Sequence, residues 1–417
     1  MSNRHPSARQ SFVVYGTFLN QLKALTTKDE DLLRGRGEVV REVIDNCRSE
    51  RLTVLTAEAG MGLSSLMEAG LFPALRREGA IVVIFRDWQG RAFAANLREA
   101  IAEAVRQQGD SSFYTEGGPL EELLSRASGK TGKVVVVLLD QFEDYVRCHV
   151  NSVASDAFDA ELARAIATRR GIFVIGLQEH ALSAFERLKQ HIPNLLGFRV
   201  SLPALDIQAA GEAVIAEARR IELDVEPAAV EALVTAPAVA VEPGKVHPFF
   251  LKIASGILLD GETRVKSRAV RAATIEARGG VDRIVFESLD MAIGELNTTS
   301  VDLFFRWCNL LISPEKHRLS VTAKGLTDYA GKLNRFVAPL LNQITQSGIL
   351  RSIETPEAIR YEISRECYAP IVRDWWERRE AVIVAKRRAA FRVKSITVAV
   401  SAIILMYVVW LILSPNK

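Results

Sequence analysis

Residues 51–65 read RLTVLTAEAGMGLSS, and this stretch decides the fold. Arg51 to Thr56 is a short apolar run, a candidate buried strand. Gly60 and Gly62 follow, and from Leu63 to Arg77 apolar residues recur at 63, 66, 67 and 71, the spacing of a helix. A strand, a glycine loop and a helix in that order can cradle phosphates. The glycines let backbone N–H groups approach the oxygens, a Lys reaches the terminal phosphates, and a hydroxyl holds Mg2+. Laid on G-x-x-x-x-G-K-[ST], Gly62 and Ser64 match, while Ala57 stands for the first Gly and Leu63 for the Lys. An ordinary strand-to-helix turn reads the same way at half of these positions.

Outward from this stretch, AIVVIF (80–85), KVVVVLL (133–139), GIFVIGL (171–177) and residues 198–202 read as further strands, with a helix over 94–107. A β-branched, almost wholly apolar run such as 133–139 fits a strand buried on both faces. Strands alternating with helices predict an α/β, doubly wound parallel sheet over residues 27–205. Strand 133–139 runs into Asp140-Gln141-Phe142-Glu143. An acid at the carboxyl edge of the sheet, facing the loop, suits a Mg2+-bound water. Glu143 could position or deprotonate a water. The same acids could also serve as ordinary helix caps.

Residues 206–300 carry a helical pattern broken at Pro227, Pro237, Pro243 and Pro248. Residues 301–385 read as helices followed by a hairpin, 348–353 and 359–363 around Thr355-Pro356, an arrangement that suggests a winged helix. The best recognition-helix candidate, residues 336–347, has no Lys or Arg. Base readout and phosphate anchoring both want such residues, so DNA binding is disfavoured. Leu340, Leu341 and Ile344 share one helix face and are expected to pack that unit on the α/β layer.

These motifs together resemble the novel STAND NTPases, within the signal-transduction ATPases with numerous domains. Asp140 to Glu143 reproduces the D-Q-F-E motif, and Ala69-Gly70-Leu71-Phe72-Pro73-Ala74-Leu75-Arg76 follows A-G-L-x-P-A-L-R. Ser64-Ser65-Leu66 also matches, residues 29–38 follow the acidic opening loosely, and Ser364-Arg365-Glu366 resembles S-H-E with Arg for His. The resemblance implies a P-loop NTPase-like domain, then a helical and a winged-helix domain. It implies a nucleotide site at Gly60, Gly62, Ser64, Ser65, Asp140 and Gln141, with Mg2+ on Ser64 and Asp140 and Glu143 as the catalytic candidate. Where the family often has Arg-x-Asp after the fourth strand, this chain has Gln178-Glu179-His180. The losses all lie on the phosphate side. ATP or ADP with Mg2+ is therefore expected to bind weakly or not at all, with little turnover.

At the C-terminal end, residues 396–413 (ITVAVSAIILMYVVWLIL) carry no charge, long enough as a helix to span about 27 Å of bilayer. The linker before it, 386–395, holds Lys386, Arg387, Arg388, Arg392 and Lys394 without an acid. Positive-inside bias predicts a single-pass inner-membrane anchor with the larger N-terminal part cytoplasmic. The opening segment, 1–26, begins with a polar stretch unlike a signal peptide.

The chain has 417 residues, with 53 Lys+Arg against 50 Asp+Glu. That balance excludes a strongly basic nucleic-acid footprint. Cys47, Cys148, Cys308 and Cys367 lie far apart, which argues against a disulfide scaffold or a zinc site. The resemblance implies a membrane-anchored signalling switch with a protein partner and self-association, in the setting of bacterial stress or phage defence. Two other classes stay open: an active membrane-tethered ATPase and a DNA-binding winged-helix regulator.

Overall fold

The computed structural model describes residues 23–115, 117–149, 153–168, 171–293, 296–355, 358–385, 388 and 404–406. Strands β1 (Leu52–Ala57), β2 (Ile81–Phe85), β3 (Val135–Leu139), β4 (Gly171–Gln178) and β5 (Arg199–Ser201) form a parallel sheet in the order β2-β3-β4-β1-β5. The expected strands are present, with ends shifted by one or two residues.

The inner part of the sheet is buried on both sides because β2 and β3 are apolar throughout and β1 and β4 nearly so. Val135, Val137 and Leu139 point to one face, and Val136 and Leu138 to the other. The first face packs against α3 (Phe93–Gln108), α4 (Leu120–Thr131), α5 (Phe142–Cys148) and α6 (Val153–Ala167). The second packs against α1 (Gly37–Ser49) and the helical segment α2 over residues 63–77. Within α2, Leu66–Leu71 takes π-helical geometry. Because the strands run parallel, the residues after β1, β2, β3 and β4 all emerge at one edge of the sheet, where open α/β sheets bind ligands.

Beyond residue 204 the chain builds a second body around one continuous apolar core. It holds α7 (Ile207–Arg220), α8 (Pro227–Thr235), α9 (Pro248–Arg264) and α10 (Val281–Ile293). The same core continues into α11 (Thr298–Leu311), α12 (Ala323–Ala330) and α13 (Val337–Gln346). An antiparallel sheet of β6 (Val321–Thr322), β7 (Leu350–Glu354) and β8 (Ile359–Ile363), in the order β6-β8-β7, completes this C-terminal unit. Leu340, Leu341 and Ile344 belong to this shared core and not to the α/β layer, contrary to expectation. Both faces of the sheet are already covered by its own helices, so the α13 stripe buries itself against its own unit.

The expected membrane span, 396–413, and most of the basic linker lie outside the described residues. Ile404, Leu405 and Met406 are helical and exposed. Among the described residues no helix is long and apolar enough to cross a membrane.

Trp88 links the core to the edge where the strands end. It is fully buried, with ring centroids 4.8 Å from Phe85 and 5.0 Å from Phe142. Its Nε1 donates to the Asp140 carbonyl at 2.7 Å. Trp88→Ala should cost about 3–5 kcal/mol in denaturant unfolding. Trp88→Phe, which keeps a ring but orphans the Asp140 carbonyl, should cost about 1–3 kcal/mol. A loss below about 1 kcal/mol for Trp88→Ala would contradict this packing role.

Candidate functional site

The loop between β1 and α2 turns on two glycines. Gly60 and Gly62 have φ of +84° and +92°, a region that side chains with a Cβ rarely adopt. Gly60 is also sterically required: a Cβ there would lie 2.5 Å from His247 Cε1 and 2.9 Å from Cys367 Sγ. The loop is thus wedged between α9 and the C-terminal unit. Arg36, buried at 4% exposure, braces it from behind by donating to the carbonyls of Met61 at 2.8 Å and Pro203 at 2.6 Å.

Ser64 and Asp140 come together as the sequence implied. Ser64 Oγ donates to Asp140 Oδ1 at 3.0 Å, reaching across the end of β4, which lies between β1 and β3. The Gln141 N–H donates to the same oxygen at 2.9 Å, with Gln141 itself at φ 56° at the start of α5. Asp140 is fully buried, and burial pushes its carboxyl above the ordinary range against the pull of Arg86 and Ser64. Ser65 accepts from the Leu25 N–H at 3.0 Å, which ties the N-terminal segment to the loop.

Glu143 is buried in the first turn of α5, and its Oε2 accepts from the Gln178 N–H at 3.3 Å. Burial first, and the neighbouring Asp144 charge second, push its carboxyl from the ordinary 4.5 to about 7. A carboxyl poised there can exchange a proton near neutrality. Asp144 behaves oppositely. Burial would raise it, but Arg351 and Arg147 outweigh burial and hold it below the usual range.

The loop, Ser64, Asp140 and Glu143 border a cavity of ≈ 650 Å3, closed by Pro248 and Phe249 of α9 and by Arg318, Arg351 and Arg365 of the C-terminal unit. Leu63 lines it too and brings no charge. The expected residues Gly60, Gly62, Ser64, Ser65, Asp140, Gln141 and Glu143 all border this one space. Arg36, Arg318 and Arg351 were not anticipated. Isolated arginines carry no local pattern, and Arg351 reaches Asp144 across 207 residues of sequence.

Among the described residues no cluster of three or more His, Cys, Asp or Glu side chains is placed to hold a metal ion. The two groups expected to serve Mg2+ are already engaged: the Ser64 hydroxyl with Asp140, and Asp140 Oδ1 with two donors. Asp140 Oδ2 faces Arg86 Nε at 3.4 Å. As they stand, these residues do not fit a directly held Mg2+. All four cysteines are free.

The Glu143 shift makes a pH prediction. A carboxyl whose folded pKa is raised supports the fold at low pH and loses that support as pH rises from 4.5 through about 7. Glu143→Gln removes the titration. The variant should therefore gain on the natural protein between pH 5 and pH 8, by up to about 3 kcal/mol in urea unfolding. A stability difference that is the same at both pH values would contradict this assignment.

Three solved structures similar to this chain are distant likenesses. The Walker-type ATPase of Pyrococcus abyssi is 16% identical, with a TM-score of 0.48, covering 85% of this chain and 99% of that one. The Aeropyrum pernix ORC2 protein in its ADPNP–ADP complexes is 14% identical, TM-score 0.45, covering 83% and 95%. The Aeropyrum pernix ORC1 protein in complex with DNA is 15% identical, TM-score 0.45, covering 85% and 95%. No curated protein matches the sequence. The model of the Novel STAND NTPase 1 family matches residues 20–394, a span that includes the loop, the Asp140 strand and the whole C-terminal unit. This chain belongs to the Novel STAND NTPase 1 family.

Proposed function

We propose that this chain is a nucleotide-responsive switch with little or no ATP turnover. The observation that carries the reading is where the cations lie. The loop itself offers Leu63 where a Lys would meet the terminal phosphates. Of the arginines on the cavity wall, Arg318, Arg351 and Arg365 sit instead on the C-terminal unit, and Arg36 is committed to the Met61 and Pro203 carbonyls. Losing one charge-assisted contact weakens binding by about 10–100-fold, and phosphoryl transfer, which depends on charge placed against the terminal phosphates, suffers more. A cavity closed by a second body is better suited to sense an adenine nucleotide than to consume it quickly.

In this reading residues 27–205 form the nucleotide domain, 206–300 the helical domain and 301–385 a winged-helix domain used for packing rather than DNA. Helix α13 supports that last point, since Val337–Gln346 carries no Lys or Arg. Residues 386–413 anchor the chain in the inner membrane, with the larger part cytoplasmic. The output is self-association or a protein partner, in a stress or phage-defence setting as the family resemblance suggests. A second reading, an active membrane-tethered ATPase, draws on Glu143, whose pKa of about 7 suits a general base.

Full-length protein in detergent, tested with ATP and ADP, separates the readings. The switch reading expects hydrolysis near background and similar affinity for both nucleotides. Leu63→Lys should tighten ATP more than ADP, by about tenfold. The same protein in native membranes should resist carbonate extraction. Turnover on the order of 1 s−1, typical of competent enzymes, would overturn the switch reading in favour of the ATPase.

A further inference from the structure

Arg86 follows β2 directly, and sheet register decides what it meets. Phe85 pairs with Leu139, and the Asp140 N–H donates to the Phe85 carbonyl at 2.8 Å. The next side chains along the two strands, Arg86 and Asp140, therefore emerge side by side at the carboxyl edge. Arg86 Nε lies 3.4 Å from Asp140 Oδ2, the oxygen that has no hydrogen-bond partner of its own. Arg86 Nη2 donates to Glu68 Oε2 at 2.8 Å. Glu68 belongs to the π-helical turn of α2, immediately beyond the loop.

A phosphate-loop site places its divalent cation beside the loop hydroxyl and the strand-end acid, where it neutralises that acid and meets the phosphates. In this chain the neutralising charge is covalently supplied. Asp140 Oδ1 is taken by Ser64 and Gln141, and its other oxygen faces a guanidinium that a second carboxylate holds in place. For Mg2+ to serve Asp140, even through a bound water, it must settle beside a fixed like charge, that of Arg86. The Ser64 hydroxyl would also have to turn from donor to ligand.

We propose that Arg86 stands in for the divalent cation at Asp140, so that this cavity binds adenine nucleotide without Mg2+. The inference rests on the cavity being a nucleotide site and adds that the site is metal-independent. Arg86 acts through Asp140 and is a positioning residue. It keeps the buried carboxylate paired and its oxygens turned away from the phosphates, whether or not metal is present. Removing Arg86 leaves a buried carboxylate without its cation, which restores the reason for a metal to bind.

The test is ADP affinity of the full-length chain in detergent, measured by calorimetry with MgCl2 and again with EDTA. The natural protein should bind equally in both, within about threefold, whereas a gain of more than that with Mg2+ overturns the inference. Arg86→Met should become metal-dependent, by about tenfold or more. Arg86→Lys keeps a cation beside Asp140 and should stay metal-independent, so a poorly folded Met variant does not decide the matter. If Arg86→Lys gains metal dependence while the natural protein lacks it, the positive charge is not what replaces the metal, and the inference falls. If the natural protein binds no ADP in either condition, the nucleotide reading of the cavity itself fails, and this inference with it.

Discussion

A buried cluster of opposite charges holds the C-terminal unit on the helix that follows Asp140, and the shape of the cavity depends on it. Arg351 donates to both oxygens of Asp144, at 2.8 and 2.9 Å, and to Glu362 at 2.9 Å. Arg147 donates to Asp144 and, through Nη1, to both oxygens of Glu362. Arg318 joins Glu362 at 3.0 Å and Glu366 at 2.8 Å. Glu362, Asp144 and Arg318 are each almost out of water, with side chains 1%, 5% and 5% exposed. Such charges are tolerable only while each keeps its partners, and removing one leaves others buried and uncompensated. The cluster therefore resists partial loosening. In the proposed reading, it makes the docking of the C-terminal unit a two-state matter, which is what a switch needs.

The same cluster explains the electrostatics of the α5 start. Three acids, Asp140, Glu143 and Asp144, lie within five residues. Asp144 is claimed by two arginines and Asp140 by Arg86, while Glu143, buried between them, has only a backbone N–H. Burial first, and the neighbouring Asp144 and Asp140 carboxylates after it, disfavour its ionised form, and its pKa rises accordingly. The acid singled out for chemistry is thus one whose carboxyl its surroundings push up toward neutrality.

The sheet was largely legible because β2, β3 and most of β4 are uninterrupted apolar runs, and such runs have few alternatives in a parallel sheet. The loop and the Asp140 edge were legible for a related reason: residues that must meet a ligand together lie close in sequence, as Gly60, Gly62 and Ser64 do. Helical periodicity gave the apolar face of α13 correctly but not its partner, because spacing defines a stripe and says nothing about which wall it meets. Arg36, Arg86, Arg318 and Arg351 stayed hidden for a different reason. Each meets partners far away in sequence, and an isolated arginine reads as surface until the fold brings those partners to it. The span at 396–413 rests on sequence alone.

A double-mutant cycle on Asp144 and Arg351 tests the central claim most directly. Asp144→Asn, Arg351→Met and the pair would be unfolded in denaturant at neutral pH beside the natural protein. If the charge cluster clamps the C-terminal unit onto the Asp140 edge, the two losses should fail to add, with a coupling above about 1 kcal/mol. Losses that add to within about 0.5 kcal/mol would mean that the two residues act independently, and that something other than this ion pair sets how the cavity closes.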